Sequence, residues 1–363
     1  MTRVLQAPQT PRIVGRALQR AIAVVLANAL LCTPLASPSI AAPKGEARSG
    51  VDDVIVDART EKLINSGLKF LAARQLPNGS WNSGDRNHSA AITAYVLMGF
   101  LSAGNLPNEG EHGAVVRRGL DFLLGCVRPD GYIAAAEGEN NMYGHGIATI
   151  ALGEFYGMTG DDTIKPRLER AINCIIKAQH TEGGWRYNPR PHDSDISATV
   201  LQVVALRVAR NSGIDVPAGT IDRAVAYVKN CAHKSGGFTY QAKRGEPGFS
   251  RTAAAVYSLQ VCGLYDDPLV TAGSTYLFDN LAKPGEYYTY GSYYAAPVHY
   301  MMGGDTWRKW YALMQEKLLP SVKSEKGLSY WSTVGGQGGD VYGTAVAITV
   351  LAMPYGYVPL YQR

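Results

Sequence analysis

A Gly-rich turn that ends in an aromatic residue recurs along this chain, and it constrains the fold more than any other feature. The turns place Trp81, Tyr132, Trp185, Phe238, Tyr288 and Trp331 at intervals of 43 to 53 residues, the turn before Tyr288 being degenerate. Glycine permits the positive φ that ends a helix and reverses the chain. The period is too long for the 34-residue helical repeats. The pattern therefore predicts six larger helical hairpins.

The helices on either side of each turn differ in composition. The helix before a turn is amphipathic, as with Leu68 and Leu71 on one face and Lys69 on the other. The helix after a turn is apolar and rich in small residues, which predicts burial on most sides. Six outer helices around six buried inner helices predict an all-α fold, a single closed (α/α)6 toroid over residues 57–363, preceded by a linker at residues 43–56.

Polar residues concentrate where the inner helices begin. In a closed ring these N-termini converge at one axial end, so we expect the functional site there. The candidate catalytic residues are Asp195, Asp193, His192, His145 and Asp340, and the candidate ligand-binding residues are Tyr143, Tyr293, Tyr294, Tyr342, His88 and Arg251. The sequence YGHG at residues 143–146 reads as a permissive turn, from which we expect His145 to line the cavity.

Structural roles compete with these functional interpretations. Asp195 and Asp340 each precede an apolar run and suit the N-cap position equally well. A lone histidine such as His145 or His88 is more often structural than catalytic, and Arg251 also suits a surface ion pair. The tyrosines suit core packing as well as the wall of a cavity that stabilises cations.

Four segments and the repeated turns carry a resemblance to known proteins. Residues 75–81 (QLPNGSW) and 179–185 (QHTEGGW) resemble the QW motif of squalene-hopene and oxidosqualene cyclases. The Gly-Gly-aromatic turns are similar to those of protein prenyltransferase β subunits. Residues 337–347 and 358–363 resemble exported prenyltransferase/squalene-oxidase-repeat proteins. The resemblance covers about residues 57–363 and implies a terpenoid cyclase or prenyltransferase-like toroid.

The acid motif of the class II cyclases is incomplete here. In those enzymes Asp-x-Asp-Asp opens an inner helix, and its middle aspartate protonates an alkene. Residues 192–199 read HDSDISAT. Alignment by letters puts Asp195 at the acid position, whereas the helix register puts Ser197 there, and sliding by two residues rotates the helix face by about 200°. We favour the helix register, so cyclisation would need another acid.

The zinc site of the prenyltransferases is also incomplete. Their pattern Asp-x-Tyr-His-Thr corresponds to residues 340–344, where Gly343 stands at the position of the histidine ligand. No Asp-x-Cys opens another inner helix. The resemblance therefore implies no zinc, and we predict no metal and no cofactor.

The first 42 residues predict export. They carry four arginines and no acidic residue, then an apolar run at residues 21–31 and a small-residue exit at residues 39–42. These are the three parts of a signal peptide, with cleavage expected near Ala41 or Ala42 and delivery to the periplasm or the extracellular space. An uncleaved anchor is the alternative, although the apolar run is short for a membrane span.

Charge excludes one class of partner. Removing residues 1–42 leaves 31 of the 35 basic residues against 30 acidic residues, a net charge of about +1. A nearly neutral chain without a basic patch does not indicate nucleic acid. The sequence leaves association with a membrane surface and the oligomeric state open.

Three functions fit these observations. The first is a terpenoid-cyclase-like toroid that binds a small apolar or isoprenoid ligand, with or without cyclase chemistry. The second is an exported carbohydrate-active lyase or hydrolase on the same toroid. The third is a non-enzymatic binding or scaffold protein. A deep dry pocket would favour the first, an open polar groove the second and a filled ring the third.

Overall fold

Twelve α-helices and one short β-hairpin form the part of the chain that the computed structural model describes, namely residues 54–82, 88–136, 141–281, 285, 287–335 and 338–362. The predicted signal peptide and residues 43–53 of the predicted linker lie outside the described residues. The first helix begins at Ala58, where the Asp57 carboxylate caps it by accepting a hydrogen bond from Thr60 N (2.7 Å).

Outer and inner helices alternate along the chain. The outer helices are α1 (Ala58–Ala73), α3 (Gly113–Gly125), α5 (Lys165–Lys177), α7 (Ala218–Asn230), α9 (Pro268–Asn280) and α11 (Gly304–Leu318). The inner helices are α2 (Ser89–Ser102), α4 (Met142–Thr159), α6 (Ile196–Asn211), α8 (Phe249–Val261), α10 (Tyr288–Met302) and α12 (Gly339–Leu351). Strands β1 (Lys323–Glu325) and β2 (Leu328–Tyr330) precede α12, and 3₁₀ turns at Met353–Tyr355 and Pro359–Tyr361 follow it.

The inner helices close into a ring. Each packs against the next inner helix along the chain, and α12 packs against α2. The outer layer closes at the same place, because β2 packs on α1 with the rings of Tyr330 and Phe70 stacked at 5.0 Å. The predicted all-α (α/α)6 toroid is confirmed.

Burial follows the composition of the two layers. In α12 every residue from Tyr342 to Leu351 is buried, whereas α5 buries only one face. Inner helices contact neighbours on both sides and an outer helix behind, so uniformly apolar small residues suit them. Among the described residues, no helix has both the length and the apolar composition to cross a bilayer.

One hydrogen bond recurs in five of the turns. A backbone N–H at the end of the turn donates to a side chain on the inner helix that follows. The pairs are Trp81 and Thr93 Oγ1 (3.0 Å), Ile133 and His145 Nδ1 (3.1 Å), Trp185 and Thr199 Oγ1 (3.0 Å), Phe238 and Thr252 Oγ1 (2.9 Å), and Trp331 and Thr344 Oγ1 (3.0 Å). We call this bond the turn lock. The indole of Trp185 also donates to Ile175 O of the outer helix (2.8 Å), so the turn ties both helices of its hairpin together.

Glycines in the first four turns also join one hairpin to the next. Gly183 has φ 97°, and a Cβ there would lie 2.2 Å from the carbonyl oxygen of Arg223 in α7. Gln179 Nε2 donates to Gly183 O (2.7 Å) and to Thr220 O of the same outer helix (2.9 Å). Glycine is therefore required both by the backbone conformation and by the close approach.

Two sequence expectations about helix starts are wrong. Residues 143–146 are not a turn but the first part of α4, which begins at Met142 with Asn141 as its N-cap. Gly146 lets α4 approach α6 closely, since a Cβ there would lie 2.7 Å from Leu201 Cβ. Asp340 is not an N-cap, because α12 begins at Gly339 and its N-cap is Gly338, so Asp340 is the second residue of the helix.

We expect Thr199→Val to lower the free energy of unfolding by about 1–3 kcal/mol, because the buried Trp185 N–H loses its acceptor while the side-chain shape is kept. Thr199→Ser keeps the hydroxyl and loses only a methyl group. Urea unfolding gives the free energies, and hydrogen exchange at the Trp185 amide reports the bond itself. Equal exchange protection of that amide in the two variants would contradict the role assigned to the turn lock.

Candidate functional site

A buried carboxyl lies where the N-termini of the inner helices converge. Asp195 is fully buried and caps α6, since its Oδ1 accepts a hydrogen bond from Ala198 N (2.8 Å). Its other oxygen, Oδ2, lies 3.2 Å from Arg186 Nε but accepts no hydrogen bond of good geometry. Asp195 is therefore an N-cap, as one of the two sequence interpretations predicts. Its Oδ1 makes the capping bond, and its Oδ2 takes no part in the cap.

Burial governs the protonation of this carboxyl. Loss of solvent raises the pKa of Asp195 to about 6, while the Ala198 N–H, Arg186 and Tyr240 act in the opposite direction. The effect of burial is the larger one, because the carboxylate loses more solvation free energy on burial than a single ion pair of imperfect geometry restores. Asp195 is thus a carboxyl that changes its protonation state just below neutral pH.

Arg186 organises the residues around Asp195. Its guanidinium pairs with Asp193 as well as with Asp195, and it lies over the rings of Tyr187 (4.9 Å) and Tyr240 (5.7 Å). The hydroxyls of the two tyrosines are hydrogen-bonded to each other. Arginine suits such a site because its planar group both forks between carboxylates and stacks on aromatic rings.

Two further tyrosines complete the wall. Tyr143 at the start of α4 stacks on Tyr187 (5.6 Å) and meets the edge of Tyr290 (6.4 Å). Tyr290, in the first turn of α10, donates to Ser197 O (2.9 Å). Burial, and secondarily the nearby Asp195 charge, raises the pKa of Tyr143 well above its usual value, so its hydroxyl stays protonated. We define the Asp195 cluster as Tyr143, Arg186, Tyr187, Asp193, Asp195, Tyr240 and Tyr290.

The ring axis next to the Asp195 cluster is packed with aromatic rings. The ring of Tyr95 meets the edges of Tyr293 (5.0 Å) and Tyr342 (4.9 Å), and Tyr293 meets Tyr294 (5.1 Å). The hydroxyls of Tyr95 and Tyr294 lie 3.4 Å apart. All four side chains are buried. Three of the predicted ligand-binding residues, Tyr293, Tyr294 and Tyr342, therefore contact one another or Tyr95 in this structure.

His145 does not line the axis. It is fully buried, accepts the turn-lock hydrogen bond from Ile133 N and stacks on Tyr132 (5.2 Å). Burial lowers its pKa to about 4, so the ring is neutral and accepts through Nδ1. His145 occupies the position that threonine holds in the other locked turns, which gives it a structural role.

The remaining predicted residues divide by position. Asp193 joins the cluster through Arg186, and Gln241 Nε2 donates to it (2.8 Å), whereas His192 beside it is exposed to solvent. Arg251 lies at the margin, 6.0 Å from the ring of Tyr240, and donates to Glu246 O (2.6 Å). Asp340 is exposed and accepts from Ser332 Oγ (2.7 Å).

His88 stands at the N-cap of α2 without a capping side-chain bond. None of the contacts described for Asp340 or His88 reaches the Asp195 cluster. The ring therefore brings Asp193, Asp195 and Tyr143 together, and it leaves the exposed residues His192 and Asp340 outside the cluster.

Sequence reasoning missed Arg186, Tyr187 and Tyr240. A signal was present, because Tyr187 and Tyr240 each follow a turn aromatic by two residues and are separated by 53 residues, the spacing of the turns themselves. Within the described part of the chain, no group of three or more His, Cys, Asp or Glu side chains is arranged to hold a metal ion.

A family model described as a domain of unknown function, DUF6288, matches residues 60–255, more than half of the chain. This chain belongs to the DUF6288 family. The matched range runs from α1 into α8 and includes every residue of the Asp195 cluster except Tyr290.

Curated relatives are more distant. Drimenyl diphosphate synthase from Streptomyces showdoensis is 24% identical over 213 residues, which cover 56% of this chain and 38% of that protein. The enzyme of the same name from Streptantibioticus cattleyicolor is 26% identical over 202 residues, 52% of this chain and 34% of that protein. This DUF6288 protein thus spans well under half the length of the curated relatives that it matches.

Solved structures share the fold at low identity. The type II terpene cyclase MstE from Scytonema, a variant in complex with geranylgeranyl dihydroxybenzoate, has a TM-score of 0.53 and 11% identity and covers 83% of this chain and 98% of its own. Cellobiose 2-epimerase from Spirochaeta thermophila has a TM-score of 0.61, 12% identity and coverages of 82% and 96%. The GH76A α-1,6-mannanase of Salegentibacter has a TM-score of 0.58, 10% identity and coverages of 82% and 99%. These likenesses show the toroid alone.

The raised pKa of Asp195 gives the DUF6288 protein a defined pH dependence. The folded state binds this proton more tightly than the unfolded state, so stability falls as pH rises from about 4 through about 6. Asp195→Asn keeps the cap and removes this loss, which is on the order of 1–3 kcal/mol. Urea unfolding between pH 4 and pH 7.5 should show that the free energy of unfolding of the variant increases relative to that of the wild type as pH rises.

Asp57→Asn is the matched control. Asp57 also caps a helix, but its pKa is lowered, chiefly by the Thr60 N–H, so its pH trend has the opposite sign. If Asp195→Asn and the wild type keep the same difference at every pH, Asp195 is not the buried titrating group described above.

Proposed function

We propose that this DUF6288 protein is a terpenoid-cyclase-like toroid that binds an apolar, unsaturated ligand of the isoprenoid class at the Asp195 cluster, with Asp195 as the proton donor. The observation that carries the proposal is the buried Oδ2 of Asp195, which lies beside Arg186 Nε without a hydrogen bond of good geometry and belongs to a carboxyl with a pKa of about 6. A carboxyl that holds its proton near neutral pH can act as a general acid.

The reaction would begin with proton transfer to an alkene. The proton leaves Asp195 Oδ2 and the π electron pair of the alkene forms the new C–H bond, which leaves a carbocation on the neighbouring carbon. The Asp195 carboxylate remains beside the guanidinium of Arg186, 3.2 Å away, which stabilises the new negative charge. Attack by a second alkene closes a ring, and loss of a proton from the ligand gives a product isomeric with the substrate.

The surrounding tyrosines suit a cationic intermediate. Aromatic faces attract cations within about 6 Å of the ring centroid, most strongly where water is excluded. Tyr143, Tyr187, Tyr240 and Tyr290 belong to the cluster, two of their rings, those of Tyr187 and Tyr240, already lie beneath the Arg186 cation, and Tyr187 is 40% exposed. The axial tyrosines are packed against one another, which is the filled ring that favours a scaffold, so the ligand site is proposed at the Asp195 cluster and not on the ring axis.

A carbohydrate-active function is less well supported by these residues. A glycoside hydrolase typically needs two carboxyl groups roughly 5–9.5 Å apart on opposite sides of the sugar bond. Asp193 and Asp195 instead converge on the single guanidinium of Arg186. The likeness to the mannanase and the epimerase therefore supports the toroid and not their reactions.

Deuterium labelling tests the proton transfer. We expect the protein, incubated in D₂O with geranylgeraniol or squalene as the probe, to give a cyclised product that carries one added deuterium, detected by gas chromatography and mass spectrometry. Asp195→Asn should reduce product formation at least about 100-fold, because general acid catalysis typically contributes that much. Turnover by the wild type should fall as pH rises above about 6, where Asp195 loses its proton.

The same Asp57→Asn variant serves as the control, since it changes a helix cap far from the cluster and should leave turnover unchanged. If the wild type and Asp195→Asn bind the probe with equal affinity and neither converts it, the result would support the non-enzymatic binding protein instead. Binding of neither probe by any variant would count against the isoprenoid ligand, and the packed axial tyrosines would then favour a scaffold.

We also propose that the protein is exported after cleavage near Ala41 or Ala42. The proposal rests on the four arginines, the apolar run and the small-residue exit of the first 42 residues. Intact-mass spectrometry of the protein recovered outside the cytoplasm should find an N-terminus at Ala42 or Pro43. A mass that includes Met1 or Thr2 would contradict cleavage.

A further inference from the structure

The chain covers one end of its own ring. Residues 358–362 follow α12, and we call them the C-terminal plug. Within the plug Val358, Leu360 and Tyr361 are buried. Leu360 N donates to Glu154 Oε2 of α4 (3.3 Å), and the hydroxyl of Tyr361 donates to that of Tyr293 of α10 (3.5 Å). The plug therefore contacts inner helices that lie on different sides of the ring.

The covered end lies opposite the Asp195 cluster. The inner helices run in the same direction, because Tyr143 and Tyr290, both near the start of their helices, pack together. Glu154 follows Tyr143 by 11 residues in α4, which places it about 16 Å farther along the axis. The contact between Leu360 and Glu154 and the Asp195 cluster thus lie toward opposite ends of the inner helices.

Glu154 is an isolated buried carboxyl. Its side chain is 3% exposed, and no cation among the described residues pairs with it. Its titratable neighbours are tyrosines from three elements, namely Tyr257 of α8, Tyr293 of α10 and Tyr361 of the plug. Arg207 of α6 points its guanidinium elsewhere, to Val261 O (3.1 Å). Burying a carboxyl whose one described hydrogen bond is 3.3 Å long costs free energy of folding.

A second polar atom points to a ligand at this end. The hydroxyl of Tyr257, on a side chain that is 1% exposed, has no hydrogen-bond partner among the described residues. Buried hydroxyls are normally satisfied, and one that is not calls for an explanation such as a bound polar group. Glu154 and Tyr257 therefore offer an acceptor and a further hydroxyl beneath the plug.

We infer that the C-terminal plug closes a second entrance to the ring axis, and that beneath it Glu154 and Tyr257 form a binding site for an apolar chain that ends in a hydrogen-bond donor, such as a long-chain alcohol. The plug itself has this chemistry, since it presents an N–H to Glu154 and fills the apolar space with the side chains of Leu360 and Tyr361. The ligand would take the place of the plug. The inference goes beyond the proposed function, because it requires no reaction and no role for Asp195.

Opening of the plug should depend on pH. Burial raises the pKa of Glu154 to about 7, whereas a carboxyl in water has a pKa of about 4.5. The closed state therefore binds the proton more tightly, and opening becomes more favourable as pH rises between these values and then levels off. The three tyrosine neighbours keep their protons throughout, since burial raises their pKa values well above the usual one.

Hydrogen exchange of the plug measures this opening in the full chain. We expect the protection factor of the Tyr361 amide, which donates to Val358 O (3.1 Å), to fall about tenfold per pH unit between pH 5 and pH 7, after correction for the intrinsic rate. Glu154→Gln keeps an acceptor and removes the titration, so its protection should not vary with pH. Glu169→Gln, an exposed change on α5, should behave like the wild type.

The full chain with Leu360→Ala and Tyr361→Ala, which removes the side chains that fill the site, tests the binding site. It should bind 1-decanol at least tenfold more tightly than 1-methoxydecane, which has no donor, and the further change Glu154→Leu should remove that preference. The wild type should bind both probes weakly. Displacement of a fluorescent apolar dye, 8-anilinonaphthalene-1-sulfonate, reports binding.

Equal affinity of the Leu360→Ala, Tyr361→Ala protein for the two probes would overturn the site. Protection of the wild-type plug that is constant with pH, or a pH slope of protection retained in Glu154→Gln, would overturn the role of Glu154. Neither experiment measures turnover, so failure here is distinct from failure of the deuterium-labelling test.

Discussion

The toroid depends on the turn lock, the hydrogen bond from a backbone N–H at the end of a turn to a side chain on the following inner helix. A buried N–H without an acceptor is expensive, so the acceptor fixes how far each inner helix slides relative to its turn. Threonine supplies it in four turns and His145 in one. In the first four turns Gly79, Gly131, Gly183 and Gly236 then lie against the backbone of the next outer helix, which relates the position of each of these hairpins to that of the next.

The Asp195 cluster is a consequence of this register. In the third hairpin the lock joins Trp185 to Thr199, and Asp195 N donates to Trp185 O (2.9 Å), so the turn and the cap of α6 are held together. Arg186 and Tyr187 follow Trp185 directly. Arg186 is thereby placed beside Asp195, and the ring of Tyr187 lies under its guanidinium. The next hairpin places Tyr240 at the same position as Tyr187, which lets one guanidinium lie between two rings.

Both ends of the ring hold a carboxyl whose pKa burial has raised, but their surroundings differ. Asp195 lies beside Arg186 among partly exposed tyrosines, whereas Glu154 pairs with no cation in the described part of the chain and is contacted by the plug. The first arrangement can stabilise a carboxylate after proton transfer, and the second favours the neutral acid. A fold shared with a terpene cyclase, a mannanase and an epimerase does not choose among functions, so these local differences carry the argument.

The sequence by itself determined the all-α toroid, because the alternation of amphipathic and uniformly apolar helices and the spacing of the turn aromatics leave few other ways to bury the apolar residues. It also predicted Asp195 as both cap and candidate acid. Only the tertiary structure decided that His145 is a turn-lock acceptor, that Asp340 lies outside the cluster, and that Arg186, Tyr240 and Glu154 matter. These outcomes depend on which hairpins face each other across the ring and on how deeply each side chain is buried. Local periodicity in the sequence determines neither the arrangement of the hairpins nor the depth of burial.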